Sequence, residues 1–326
     1  MSVKAKPLAL IDAAIQDEPL SALAGVAVVV RYEDDRALER LTAERGHEVV
    51  GLGTLLSTRV DAALLEGLPR LRIVANCAVG VDNVELAAAA ARGVVVTNTP
   101  NVLTEATADL TWALILAVAR RVREGDALMR SGNWTGWHPR QLLGHELNRA
   151  TLGILGMGRI GAAVARRAIG FRMNAIYWSR SARPDLETRL MLRRFPVEKV
   201  LEKADVVSIH LPLTEETRHL IGAAELARMK PDAILVNTAR GPIVEEAALA
   251  EALAAGRLAG AGLDVYEDEP RVHPGLLGHP RTVLLPHLGS ATDATRLAMA
   301  RLVAENLGAV LEGKPPITPV GESGED

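Results

Sequence analysis

The chain has 326 residues and a formal net charge of −3; 48% of its residues are hydrophobic and 24% are charged. That length holds two domains of ordinary size. The weak, interspersed charge gives no electrostatic footprint for nucleic acid. The single cysteine, Cys77, excludes an internal disulfide, fits a reducing cytoplasm, and reads as a small buried core residue.

At the N-terminus, Lys4 and Lys6 are followed by Asp12, Asp17 and Glu18, which interrupt anything like a signal core, so no targeting segment is read there. The longest apolar runs, 22–30 and 112–119, are too short to span a membrane. The first hundred residues alternate strand and helix. Runs 8–11 and 26–30 read as buried strands, 35–44 as a helix closed by Gly46, and 47–52, 72–76 and 94–97 as further strands. Run 83–91 reads as a helix ending at Gly93. Such alternation predicts a parallel sheet covered by helices on both faces. One long apolar helix follows over 104–130, and its excess of apolar surface predicts packing between domains or subunits.

A second array starts at Thr151. Its strands are expected at 152–155, 175–178, 206–209, 234–237, 260–264 and 282–285, and its helices at 159–169, 186–193, 197–203, 223–229 and 245–255. A last helix over 292–312 is expected to cross back to the first domain, with a frayed tail beyond Pro315. The first strand runs into Gly156-Met157-Gly158-Arg159-Ile160-Gly161, the strand–turn–helix of a dinucleotide site. Gly156 makes the tight turn, Gly158 lets backbone approach a pyrophosphate, and Gly161 lets helix pack on strand.

Ligands of open α/β sheets bind outside the carboxyl ends of the strands. Those ends carry Thr238-Ala239-Arg240-Gly241, then Tyr266-Glu267-Asp268-Glu269-Pro270, then Pro286-His287-Leu288-Gly289-Ser290. An arginine, a carboxylate and a histidine can therefore converge beside the glycine loop. A hydride acceptor that becomes an alkoxide needs a proton, which histidine supplies near neutral pH. A carboxylate behind the ring holds it and favours the imidazolium. A guanidinium pairs bidentately with the carboxylate of a 2-oxo acid. The set describes a 2-hydroxy-acid dehydrogenase site.

Three stretches in order, G-M-G-R-I-G at 156–161, V-N-T-A-R-G-P-I-V at 236–244 with G-L-D-V-Y-E-D-E-P at 262–270, and L-P-H-L-G-S-A-T at 285–292, resemble the D-isomer-specific 2-hydroxy-acid dehydrogenases over nearly the full chain. Within that family the similarity is greatest to glyoxylate/hydroxypyruvate reductases. The resemblance implies an α/β protein of two doubly wound parallel-sheet domains: a flavodoxin-like substrate domain, 1–102 plus 286–326, and a Rossmann dinucleotide-binding domain, 103–285. It implies Arg240 as substrate clamp, Glu269 as partner of the histidine and His287 as general acid. It places Asp264 at the nicotinamide carboxamide, with His210, Thr238, Ala239 and Gly289 also on the cofactor. Backbone N–H groups of Ala78, Val79 and Gly80 are implied to hold the substrate carboxylate. Asn98-Thr99-Pro100 and Glu105-Ala106-Thr107-Ala108 match the hinge and the cofactor-facing start of the long helix. Trp134 and Trp137 match a tryptophan pair that either reaches a neighbouring subunit's substrate pocket or packs a dimer interface. The first 35 residues depart from the family pattern.

An NAD site wants an acid roughly 20 residues past the glycines, on the ribose 2′-hydroxyl. Here the second strand ends in Ser179-Arg180-Ser181, with Arg183 behind and no acid until Asp185. Two hydroxyls and an arginine suit a 2′-phosphate, so NADPH/NADP is expected in preference to NADH/NAD. No metal site is read, since no Cys/His pair has ligand spacing. The expectation is a cytoplasmic homodimer acting on a small 2-oxo or 2-hydroxy acid, with no nucleic acid or membrane partner. Two alternatives stand beside it: a dehydrogenase of phosphorylated hydroxy acids, which would want NAD and more basic residues in the pocket, and a non-catalytic dinucleotide-sensing regulator of the same fold.

Overall fold

The structure, a computed structural model, describes residues 6–321; Lys4 and residues 322–326 lie outside the described residues. The chain divides into two compact units, Met1–Leu103 with Ala291–Asp326, and Thr104–Ser290.

In the first unit, β1 (Leu8–Asp12), β2 (Val28–Tyr32), β3 (Val49–Thr54), β4 (Ile73–Asn76) and β5 (Val95–Thr97) form a sheet in the order β2-β1-β3-β4-β5. Every pair is parallel, and the order is that of flavodoxin-like folds. Buried Leu10, Leu52 and Val74 share the core on one side. β2 starts two residues later than expected, because Val26 and Ala27 donate back to Leu23 and close a 3-10 turn over Ser21–Gly25. β3 is delayed likewise by a 3-10 turn over Gly46–Glu48. The helix expected from residue 83 starts at Leu86, since the Asn83 amide donates to the carbonyls of Leu55 and Thr58. The structure adds a helix over Ala62–Gly67 that the sequence reading lacks, capped by Asp61, which accepts from the N–H of Leu64 at 3.0 Å.

The helix Asp293–Leu311 belongs to this unit and packs on β3 and β4; a Cβ on Gly51 would stand 3.0 Å from Leu307. The tail is not frayed as expected up to residue 320. Buried Asn306 accepts from the N–H groups of Ile317 and Thr318, and Val320 donates to Val96 at 2.8 Å. A buried amide leaves no polar group unsatisfied only if the chain returns to it.

In the second unit, β6 (Thr151–Leu155), β7 (Asn174–Trp178), β8 (Arg193–Arg194), β9 (Val206–Ile209), β10 (Ile234–Asn237), β11 (Gly260–Leu263) and β12 (Thr282–Leu284) form a parallel sheet in the order β12-β11-β10-β9-β6-β7-β8. This is the Rossmann order with one strand added, and its switch point lies between β6 and β9. The central strands β9, β10 and β11 are near-continuous apolar or small-residue runs because helices cover both faces. The helix expected over 186–193 ends at Leu190 with Met191 in the left-handed region, and Arg193–Arg194 pair with β7 instead.

The single helix expected over 104–130 is two helices, Thr104–Ala119 and Val122–Arg130. The break falls at Arg121, whose φ is 54°. The Ala119 carbonyl accepts from His145, so the segment around residue 145 takes the place of the next turn. The first helix lies across β10, β11 and β12. Gly260 and Gly262 admit it: a Cβ there would stand 2.7 Å from Val118 and 3.0 Å from Leu114. The boundary expected at residue 286 falls after Ser290, because the chain beyond β12 stays bonded to Asp264. Among the described residues no helix is long and apolar enough to cross a membrane.

Candidate active site

The glycine loop follows β6 at the switch point. Gly156 has φ of 100°, and a Cβ on it would lie 2.3 Å from the carbonyl oxygen of His210. Only glycine fits both the turn and the approach. Gly158 caps the helix Arg159–Ala168 and faces open space. At Gly161 a Cβ would lie 2.0 Å from the Gly156 carbonyl oxygen, so helix and turn touch backbone to backbone. Met157 is buried and Ile160 half-buried, which roots the loop, whereas Arg159 is exposed. An open cradle at a helix N-terminus fits a dinucleotide pyrophosphate.

Beyond β7, Ser179 is half-buried and Arg180 and Ser181 are exposed. The Ser179 hydroxyl donates to the Ser181 carbonyl at 2.5 Å. Arg183 donates from Nη1 to the Met157 carbonyl at 2.8 Å, tying this loop to the glycine loop. Arg194 of β8 donates to the Ser179 and Arg180 carbonyls. Neither tie is legible in the sequence, where Arg193 reads as the end of a helix and Arg194 as a connection. After β9, His210 Nε2 lies 2.8 Å from the Ser208 hydroxyl. Burial pushes its imidazole down to about 3, so the ring is neutral at physiological pH.

After β10 the buried Asn237 builds the next turn. Its amide donates to the Arg240 carbonyl at 2.9 Å, and its oxygen accepts from Ala239 at 3.0 Å. Arg240 donates from Nη1 to the Ala239 carbonyl. The Thr238 hydroxyl meets that of buried Thr111 at 2.9 Å, and Thr107 donates to the Gly289 carbonyl. The helix Thr104–Ala119 thus reaches both strand-end loops. Sequence reasoning had not singled out Asn237 or Thr111.

After β11 and β12 come the two central groups. His287 Nδ1 lies 3.0 Å from Glu269 Oε2, and ring geometry turns Nε2 away from the carboxylate. Burial works to raise the Glu269 carboxyl, but the hydrogen bond and charge of His287, helped by Arg240, hold it below the usual carboxylate range. Arg240, Glu269 and His287 are therefore in one electrostatic neighbourhood. His287 has φ of 55°, and its N–H donates to the Asp264 carbonyl. Asp264 is buried, and its carboxylate accepts from Leu288 at 2.6 Å and Gly289 at 2.8 Å. Burial raises its carboxyl above the usual range, with the two amides and His287 opposing. Asp264 holds the loop that carries His287, a structural task that the motif alone did not reveal.

In the other unit, the carbonyls of Ala78, Val79 and Gly80 each accept, from Thr99 N–H and from the amides of Asn98 and Asn76. The loop is thereby fixed through its carbonyls. Cys77 is buried, which pushes its thiol up to about 11. Trp134 and Trp137 follow the helix Val122–Arg130 and are 47% and 82% exposed.

The family model for the D-isomer specific 2-hydroxyacid dehydrogenase, NAD binding domain, matches residues 112–289. The chain is 47% identical over 316 residues to a glyoxylate reductase of Thermococcus litoralis, covering 95% of this chain and 96% of that one. It is 54% identical over 278 residues to a glyoxylate reductase of Aeropyrum pernix, covering 83% of each. A solved NADPH-dependent glyoxylate/hydroxypyruvate reductase from Sinorhizobium meliloti, in complex with NADP and malonate, superimposes with a TM-score of 0.88 at 37% identity, covering 98% of each chain. Glycine cradle, histidine–carboxylate pair and full-length likeness agree: the chain belongs to the D-isomer specific 2-hydroxyacid dehydrogenase family.

Proposed function

We propose that this protein reduces glyoxylate and hydroxypyruvate, to glycolate and D-glycerate, using NADPH as hydride donor. The observation that carries the reading is the 3.0 Å contact between His287 Nδ1 and Glu269, with the charge of Arg240 acting on the same carboxylate. The names of the relatives from Thermococcus and Aeropyrum support the substrate, and the NADP complex of the Sinorhizobium structure supports the cofactor.

When bound, the dihydronicotinamide supplies a hydride. The residues of this chain do the rest. Arg240 pairs with the substrate carboxylate, and the N–H groups of Val79 and Gly80 add donors to it. His287, protonated and held by Glu269, gives a proton from Nε2 to the carbonyl oxygen as charge grows there. Thr238, Ala239, Asp264 and Gly289 would hold the nicotinamide end of the cofactor, and His210 would offer it a neutral ring. Ser179, Arg180 and Ser181 receive the 2′-phosphate. The protein works as a cytoplasmic homodimer, with Met1–Leu103 and Ala291–Asp326 as the substrate unit.

A steady-state assay with NADPH and NADH against a panel of 2-oxo acids tests this. Glyoxylate with NADPH should give the highest kcat/KM. A phosphorylated 2-oxo acid used best with NADH would replace the reading with the phosphorylated-substrate class. Tight cofactor binding with no turnover on any acid would replace it with a dinucleotide sensor.

A further inference from the structure

Seven residues, 267–273, form the loop that carries Glu269 away from β11. One buried carboxylate holds both ends of that loop. Glu246, at the first turn of the helix Glu246–Ala254, is 6% exposed. Its Oε1 accepts from the N–H of Glu267 at 2.6 Å, and its Oε2 accepts from the N–H of His273 at 2.8 Å. The tie is reciprocal, because the N–H of Glu246 donates to Glu267 Oε2 at 3.1 Å. The other oxygen of Glu267 lies 2.5 Å from His219 Nε2, and His219 donates its own N–H to the Pro242 carbonyl.

These bonds join three segments of one site. Arg240 precedes the turn Gly241–Ile243, which leads straight into Glu246. Gly241 lies against the other loop so closely that a Cβ on it would fall 1.8 Å from the backbone of Tyr266. Just before the loop, the N–H of Tyr266 donates to Glu269 Oε1 at 3.1 Å, and Glu269 Oε2 faces His287. A carboxylate that accepts from backbone N–H groups in a dry setting makes strong, directional bonds.

From this geometry we propose that Glu246, clasped with Glu267, is a positioning residue that sets Glu269 against His287 and fixes Arg240's turn beside them. The proposal rests on the function proposed above. Glu246 touches neither substrate nor cofactor; it acts through Glu269. Removing one of its two accepting oxygens frees one end of the loop. Misplacement of a catalytic group by a fraction of an ångström is enough to cost turnover.

The test uses the full-length enzyme and three proteins: wild type, Glu246→Gln and Glu269→Gln. Glutamine keeps the shape of Glu246 but can accept at only one of its two positions. Two quantities are read. The first is kcat and KM for NADPH-dependent reduction. The second is the carboxyl 13C titration of Glu269 in the free enzyme, its signal assigned by its loss in Glu269→Gln. The charged groups acting on Glu269 are His287, Arg240 and Asp264, all unchanged in Glu246→Gln. Expected is a fall in kcat of about tenfold in Glu246→Gln, an NADPH KM within about twofold of wild type, and a Glu269 titration moved up toward the ordinary carboxylate range. A lower Tm with unchanged kcat and unchanged Glu269 titration would overturn the proposal and leave Glu246 as a fold staple. A moved titration with wild-type turnover in Glu269→Gln would sustain the clasp and remove the catalytic reading instead. Should Glu246→Gln fail to fold, Glu267→Gln, at a half-buried site, takes its place with the same expectations.

Discussion

Arg194 Nη2 donates to the carbonyl oxygen of Arg180 at 2.7 Å and to that of Ser179 at 2.8 Å. The short edge strand β8 thereby fixes the backbone of the loop that is expected to read the ribose. A side chain anchored only at the surface would lose much of its entropy on meeting a phosphate; a loop already held loses less. Arg180→Ala should raise the NADPH KM by about tenfold or more and change NADH use little, because one charge-assisted contact is lost. Arg194→Ala should move NADPH use in the same direction by a smaller factor. Equal losses with both cofactors in either variant would show that the loop does not read the phosphate.

Gly156→Ala should cost about 1–3 kcal/mol of stability, from overpacking at a left-handed position. The added Cβ would lie 2.3 Å from the His210 carbonyl oxygen, which is backbone and cannot swing away. Urea denaturation and NADPH fluorescence titration check this together. Wild-type stability with intact cofactor binding would mean that the turn relaxes without penalty.

Much of this was legible in the sequence, and the gaps have physical causes. The strands Val206–Ile209 and Ile234–Asn237 stood out because they are buried on both faces and read as unbroken apolar runs. The Gly156 loop and the trio Arg240, Glu269 and His287 stood out because motif and strand end coincide. Arg193–Arg194 did not, because two exposed arginines on an edge carry no apolar signal. The break at Arg121 was hidden too: the segment that supplies the replacement bond, His145, is distant in sequence. Glu246 looks like an ordinary acid in the sequence, and Asp264 is expected there only at the nicotinamide carboxamide, not as the holder of a loop. Only the fold shows which amides they hold.

His287→Gln should lower turnover by roughly 100-fold or more with cofactor still bound, the scale of losing a positioned proton donor. Glu269→Gln tests the charge behind it. With His287 as the proposed general acid, reduction should need the imidazolium and fail as pH rises and the ring loses its proton. A neutral amide no longer favours the charged ring, so the alkaline limit of reduction should move to lower pH. In the folded protein Glu269 titrates below its ordinary value, so its pairing with His287 adds stability above the ordinary carboxylate range, and this is lost as pH falls through the depressed value. A pH profile of kcat identical to wild type would remove Glu269 from its role.

A homodimer is expected, held largely by the segment after the break. Val122, Met129, Trp134, Trp137 and Leu143 are all exposed in the isolated chain. Apolar side chains gathered on one stretch mark an interface more often than a free surface. Sedimentation equilibrium at micromolar concentration should return twice the chain mass, and Trp137→Ser with Met129→Ser should shift it toward the monomer. A monomeric wild-type protein would refute the dimer.

Glyoxylate and hydroxypyruvate should be reduced better than pyruvate or bulky 2-oxo acids. In the proposed function Arg240 pairs with the carboxylate of any 2-oxo acid, so it would set the class and not the member. Discrimination must come from what meets the far end of the substrate. In the single chain Trp137 is 82% exposed and Trp134 is 47% exposed, so either ring is available to a neighbouring subunit. Delivered there, an indole would leave room for hydrogen or a hydroxymethyl group. One methyl group in an apolar pocket is worth only about 1–3 kcal/mol, so pyruvate should be a poor substrate and not an excluded one. Trp134→Ala and Trp137→Ala, assayed against the same panel, separate the two roles. Relaxed selectivity toward larger acids in one variant, with the dimer intact, assigns that ring to the pocket. An unchanged ranking in both variants, with a weakened dimer, assigns both rings to interface packing. A highest kcat/KM for 2-oxoisocaproate or phenylpyruvate in the wild type would overturn the glyoxylate assignment and leave the family standing.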